Sequence, residues 1–119
     1  MKIESSKVKI RVEDDAVVIL LDAPTDGFLT PWQDAYQIGW ALREQALHLP
    51  EVFAVDWKAV TQELAQLQVS QKDGVVLLRF AWTDRLRFSK AAGLKMAKTL
   101  RMVAVQGQVA QKQLLEMKA

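Results

Sequence analysis

Leu67-Gln68-Val69-Ser70-Gln71-Lys72-Asp73-Gly74-Val75-Val76-Leu77-Leu78-Arg79-Phe80-Ala81-Trp82 is the stretch that decides the fold. Its first six residues alternate apolar and polar with the period of a half-buried strand. Asp-Gly is a favoured two-residue hairpin turn, because both positions tolerate positive φ. With Asp73-Gly74 as the loop, Lys72 pairs with Val75, Val69 with Leu78 and Leu67 with Phe80. That register predicts Leu67, Val69, Val76, Leu78, Phe80 and Trp82 on one face, and Gln68, Ser70 and Arg79 on the other.

Outward from this hairpin the pattern recurs. Val8 to Val12 alternates, Glu13-Asp14-Asp15 is a polar turn, and Val17 to Leu21 reads as a more deeply buried strand. Ala23-Pro24-Thr25-Asp26-Gly27 is dense in turn formers and predicts the end of that hairpin. Thr30-Pro31-Trp32-Gln33 has the form of a capping box with proline at the first helical position. A helix to Leu49 is expected, with Ala35, Ile38, Leu42, Ala46 and Leu49 on its core face and Pro50 as its stop. Asp56 is a candidate cap for a short helix carrying Trp57, Val60 and Leu64 on one side. Thr83 to Phe88 predicts a short strand or extended arm. Ser89 caps a second long helix that buries Gly93, Met96, Leu100, Val103 and Ala104 and ends at Gly107, with a weaker helix from Gln108 to Met117.

Superposing the halves at an ungapped offset of 58 places Asp15 on Asp73, Val17-Val18 on Val75-Val76, Ile38 on Met96 and Leu42-Arg43 on Leu100-Arg101. The expected fold is therefore α+β. Two ββα pseudo-repeats, residues 6–49 and 64–106, form a mostly antiparallel sheet of about four strands with two long helices on one face. Residues 50–63 are the connector and 107–119 a helical tail, all within one domain of 119 residues.

Composition narrows the function. Half the residues are hydrophobic and a quarter charged, as in a globular domain. No apolar run approaches the roughly 20 residues of a membrane span, and Met1 to Ser6 lacks the apolar core of a secretory signal. A cytoplasmic protein without membrane association is expected, or a virion protein if phage-encoded. The absence of cysteine excludes disulfides, thiolate nucleophiles and cysteine-based zinc sites. The sole histidine, His48, sits at a helix end with no activated Ser or Thr in view, and the position suits the helix dipole better than catalysis. Asp14, Asp15, Asp22, Asp26 and Asp34 occupy turns and a first helical turn and lack calcium-loop spacing. The five glycines form no phosphate loop. The sequence thus predicts no enzyme, no cofactor and no metal; a ligand carrier would require a polar pocket.

Two surfaces invite partners. Tyr36, Trp40, Arg43 and Leu47 lie away from the Ile38/Leu42 face, and a helix with two apolar faces usually makes a second contact. Lys90, Lys95, Lys98 and Arg101 cluster opposite Met96 and Leu100, with Arg79, Arg85 and Arg87 on the preceding strand and arm. Residues 1–71 hold six Lys/Arg and eleven Asp/Glu, a balance of −5, while residues 72–119 hold ten and three, a balance of +7. This asymmetry suits packing of the halves within one molecule or across a dimer. It equally suits a nucleic-acid backbone, although the lysine face has no aromatic interleaving.

The expected function is a non-enzymatic protein-interaction or assembly module, acting as a homo-oligomer or on another protein. The alternative is a nucleic-acid-binding accessory protein using the basic second helix. The stretches from Leu29-Thr30-Pro31 to Ala46 and from Phe88-Ser89 to Leu100 resemble the capped helices of many small orphan proteins of phages and mobile elements. The likeness is one of pattern, covers about a third of the chain, and implies an accessory or structural role there.

Overall fold

Asp73 and Gly74 both adopt positive φ, 54° and 89°, as the turn chemistry demands. In the computed structural model, which describes residues 8–118, they join β3 (Leu67–Lys72) to β4 (Val75–Phe88). The register is the expected one: Lys72 opposite Val75, Val69 opposite Leu78, Leu67 opposite Phe80. The first hairpin, β1 (Val8–Glu13) and β2 (Ala16–Pro31), turns at Asp14-Asp15, with Asp14 at φ 55°. The fold is α+β: the described residues form four antiparallel strands in an open sheet of order β1-β2-β4-β3 and three helices. The helices are α1 (Trp32–Leu47), α2 (Trp57–Leu64) and α3 (Lys90–Lys118). The N-terminal residues read for a secretory signal, and the first residues of the 6–49 unit, lie outside the described residues.

The predicted turn at Ala23–Gly27 is not a chain reversal. β2 continues through it to Pro31, because its second half finds a partner in β4, with Gly27 opposite Arg79 and Thr30 opposite Val76. The irregularity that Pro24 and Gly27 announce is instead absorbed as a pair of bulges. Between the pairs Leu20–Arg85 and Thr25–Thr83, four residues of β2 face only Asp84; between Thr25–Thr83 and Gly27–Arg79, Asp26 faces three residues of β4. Thr25 and Thr83, opposite one another, each fold a hydroxyl back on the residue two positions on: Thr25 Oγ1 donates to Gly27 O (2.9 Å) and Thr83 Oγ1 to Arg85 O (3.1 Å). Trp82 falls in the β4 bulge and is exposed rather than in the core. Thr83–Phe88 is the continuation of β4, not a separate arm.

Thr30 is likewise not a cap. It is a fully buried strand residue, and its hydroxyl donates to Pro31 O. The N-terminus of α1 is satisfied from outside the helix, Trp32 N–H donating to Gly74 O (3.0 Å) at the far hairpin's turn. The other two caps behave as expected. Asp56 accepts from the amides of Lys58 and Ala59, and Ser89 Oγ accepts from Ala92 N–H. Val60 is buried under α2 while Trp57 is exposed.

Gly107 does not break α3, which runs unbroken for 29 residues. A Cβ there would lie 3.2 Å from Trp32 Cβ and 3.5 Å from Gly74 Cα, so this glycine serves close packing of helix on hairpin. The ungapped offset of 58 also needs correction. The buried pairs Val17/Val76 and Ile19/Leu78 differ by 59, whereas Ala35/Gly93, Ile38/Met96 and Leu42/Leu100 differ by 58. No single ungapped offset therefore superposes both the buried strand positions and the buried helix positions.

One core results. Val17 and Ile19 of β2 and Val76, Leu78, Phe80, Leu86 and Phe88 of β4 cluster with Ile38 and Leu42 of α1 and Met96 and Leu100 of α3. Fully buried residues such as Phe88, Leu42 and Leu100 each contribute about 1.5–3 kcal/mol. α1 and α3 run antiparallel and close. A Cβ on Gly39 would come within 3.0 Å of Ala97 O, and one on Gly93 within 3.4 Å of Ala46 Cβ.

Candidate protein-contact groove

Close approach of α1 and α3 builds the candidate site. Because position 39 is glycine, the stem of Arg101 lies against the α1 backbone, a Cβ there falling 2.7 Å from Arg101 Cγ. From that seat Arg101 Nε donates to Ala97 O (3.2 Å), and the guanidinium lies over Trp40, 4.2 Å from the ring centroid. Arg43, three residues along α1, places its own guanidinium 5.5 Å from the same ring. Tyr36, one turn before Trp40, meets it edge-to-face at 6.2 Å. Trp40 remains 41% exposed despite these neighbours.

Across from the aromatics, α3 offers Lys98, Arg101, Met102, Val105 and Gln106, at the spacing of one helix face. The result is a shallow groove of about 500 Å³ with no carboxylate in its lining. Met102, Val105 and, one turn on, Val109 are exposed. Leu47 is exposed but does not line the groove.

The seven cations of the expected basic surface do not form one surface. Arg79, Arg85 and Arg87 alternate along β4 with buried Leu78, Phe80, Leu86 and Phe88, so they lie on the sheet face turned away from the core. There Arg85 joins Arg11 on Glu13, and Arg87 meets Asp15 at 2.8 Å. The hydrogen bond from Arg11, reinforced by Arg85, holds the Glu13 carboxyl below the usual carboxylate range. These chains flank Val18, which is fully buried and opposite both Arg11 and Arg87 in register. Lys90 donates to Leu49 O (3.0 Å) and Glu51 (2.6 Å). Lys95 lies over Trp57, 4.6 Å from the ring centroid. Only Lys98 and Arg101 line the groove.

Aromatic interleaving absent from the α3 sequence is thus supplied by other elements, Trp57 from α2 and Trp40 from α1. No spacing within one segment signals a pairing across 38 or 61 residues; the nearest hint is that Trp40 sits away from the core face of its helix.

A second hollow, of about 310 Å³, lies between the 51–56 loop, α2 and the start of α3. Val55, Val60, Ala91 and Leu94 supply much of its wall, and its polar groups bond to each other, Ser89 Oγ donating to Glu63 Oε2 at 2.6 Å. His48 forms the C-cap of α1, its backbone N–H donating to Gln45 O. Among the described residues no group of three or more His, Asp or Glu is placed to hold a metal, and no helix is long and apolar enough to cross a membrane. Comparison with protein-family models, curated proteins and solved structures finds no match to this chain.

Proposed function

We propose that the chain is a non-enzymatic interaction or assembly module that self-associates through the groove between α1 and α3. The observation that carries this reading is the exposed Tyr36–Trp40–Arg101 cluster beside exposed Met102 and Val105. Tryptophan, tyrosine and arginine are the residue types that dominate interface energetics. Here they are also held in place before any partner arrives, which lowers the ordering cost of association. Light scattering over about 1–100 µM, where association free energies of roughly 5–8 kcal/mol become visible, tests it. The expected result is a mass above the 13.4 kDa monomer that returns to it in Trp40→Glu. An unchanged mass in Trp40→Glu, or a wild type that stays monomeric throughout, refutes the proposal.

A second reading, binding of a nucleic-acid strand along α3, is favoured by the Lys95–Trp57 and Arg101–Trp40 pairs. It is the weaker, because both cations already cover ring surface on which a base would stack, and the β4 arginines lie elsewhere. Labelled oligonucleotides that bind at about 50 mM salt, weaken steeply by about 200 mM, and lose binding in Lys95→Glu/Lys98→Glu would put it first.

The assembly proposal extends to the fold. We read the two hairpin-plus-helix halves as pseudo-repeats whose long helices cover the same sheet face. In support stand the matched threonine bulges and the common core of β2, β4, α1 and α3.

A further inference from the structure

We infer that the occupant of the α1/α3 groove is the Glu51–Asp56 loop of a second copy of this chain, led by Phe53. The inference rests on the groove being a protein-contact surface and names what fills it.

Phe53 is fully exposed, and Val52 beside it is more than half exposed. A loop that presents two adjacent apolar side chains to water forgoes roughly 1.5–3 kcal/mol of burial for each. The loop contributes no residue to the lining of its own groove. It is pinned at one end by Leu49, which is buried and whose carbonyl accepts from Lys90, and at the other by Asp56, whose carboxylate caps α2. Trp40 lies eight residues back from His48 along α1, about 12 Å at the helical rise. In the folded chain Phe53 is left uncovered, and the groove it fills is assigned to another copy.

Charge selects the same pairing. The groove carries Lys98 and Arg101, with Arg43 beside Trp40, and no carboxylate in its lining. The Pro50–Trp57 stretch carries Glu51 and Asp56 and no cation, and the Glu51 side chain is 85% exposed even while bonded to Lys90. Seating Phe53 between Trp40 and Met102 brings these acids towards the groove's cations, which supplies orientation as well as attraction. The contact joins two different patches, so it is heterologous, and successive copies form a ring or an open chain.

Mixing two variants tests the inference. Trp40→Glu disables the groove and keeps the loop; Phe53→Ser disables the loop and keeps the groove. Since Phe53 is fully exposed, its replacement leaves the fold intact, which matching thermal melts verify. Each variant alone is expected to associate at least about 30-fold more weakly than wild type, the loss of one strong hot spot. Mixed in equal amounts, they are expected to form a dimer that grows no further, because one functional loop meets one functional groove. Should Phe53→Ser assemble like wild type while Trp40→Glu does not, the groove reading survives and the loop is not its occupant. Two monomeric variants whose mixture stays monomeric overturn the head-to-tail contact. If neither variant changes the mass, this inference and the self-association proposal both fail.

Discussion

Replacing Gly93 by alanine tests how closely α3 is seated on β2. The added Cβ would lie 2.7 Å from Val17 Cγ1, against the 3.5–4.0 Å of an unstrained carbon–carbon contact, so about 1 Å of overlap must be relieved. Val17 is fully buried and β-branched, so its methyl cannot swing aside cheaply. Withdrawal of α3 is opposed by its tight contact with α1, where Ala46 Cβ would sit 3.4 Å from the same new atom. Overpacking of this kind costs about 1–3 kcal/mol. Gly93 is the fourth residue of α3, where alanine in place of glycine returns at most the about 1 kcal/mol of a helix interior, leaving a net loss of up to about 2 kcal/mol. Urea unfolding followed by circular dichroism reads this as a lower midpoint at constant slope. A double-mutant cycle with Val17→Ala isolates the clash, and a favourable coupling of about 1 kcal/mol or more is expected in the double variant. Gly93→Ala clearly more stable than wild type, or strictly additive effects in the cycle, would refute the seating of α3 on Val17.

Two further perturbations address a cap and an ion pair. Ser89→Ala removes both the acceptor for Ala92 N–H and the donor to Glu63, so a loss of about 1–2 kcal/mol is expected in the same unfolding assay; a loss under about 0.5 kcal/mol would show that neither bond matters. Because the folded protein holds Glu13 below its ordinary value of 4.5, its charged form stabilises the fold; that contribution is present above 4.5 and is lost as pH falls through the lowered value. Glu13→Gln is expected to flatten the acid limb of melting temperature against pH below about 4.5, and an unchanged slope would sink the assignment.

Where local chemistry and partner choice coincide, the sequence is readable. The β3–β4 register follows from alternation plus Asp73-Gly74 because the pairing strand is the next one along the chain. Prediction fails where a remote segment decides. Pro24 and Gly27 carry turn chemistry, yet β4 pairs with the residues beyond them, so the chain bulges and continues. Thr30 and Gln33 have capping spacing, but Thr30 is claimed by Val76 across the sheet, and Gly74 satisfies the helix instead. Gly107 has a helix breaker's propensity, and its contacts with Trp32 and Gly74 override it.

The candidate site divides in the same way. Tyr36, Trp40 and Arg43 are visible as a second stripe on α1, and Lys98 and Arg101 as part of a charged face of α3. That these two faces share a groove depends on Gly39 admitting Arg101, a contact across 62 residues. Grouping Arg79, Arg85 and Arg87 with the lysines fails for a simpler reason: alternation along β4 sends them to the opposite side of the sheet from α3. Phe53 is anonymous in a connector until its neighbours are known to leave it uncovered.

The meeting of Trp32, Gly74, Gly107 and Gln111 has a consequence for how opening of the fold is observed. Trp32 donates through its amide to Gly74 and through its indole to Gln111 (2.8 Å), while Gly107 lies against both Trp32 and Gly74. The joint draws on the start of α1, the β3–β4 turn and the second half of α3. One tryptophan thus reports on two separate contacts, its amide on α1 against the hairpin turn and its indole on α1 against α3. Hydrogen exchange at the amide and at the indole therefore distinguishes opening of the hairpin from withdrawal of the long helix.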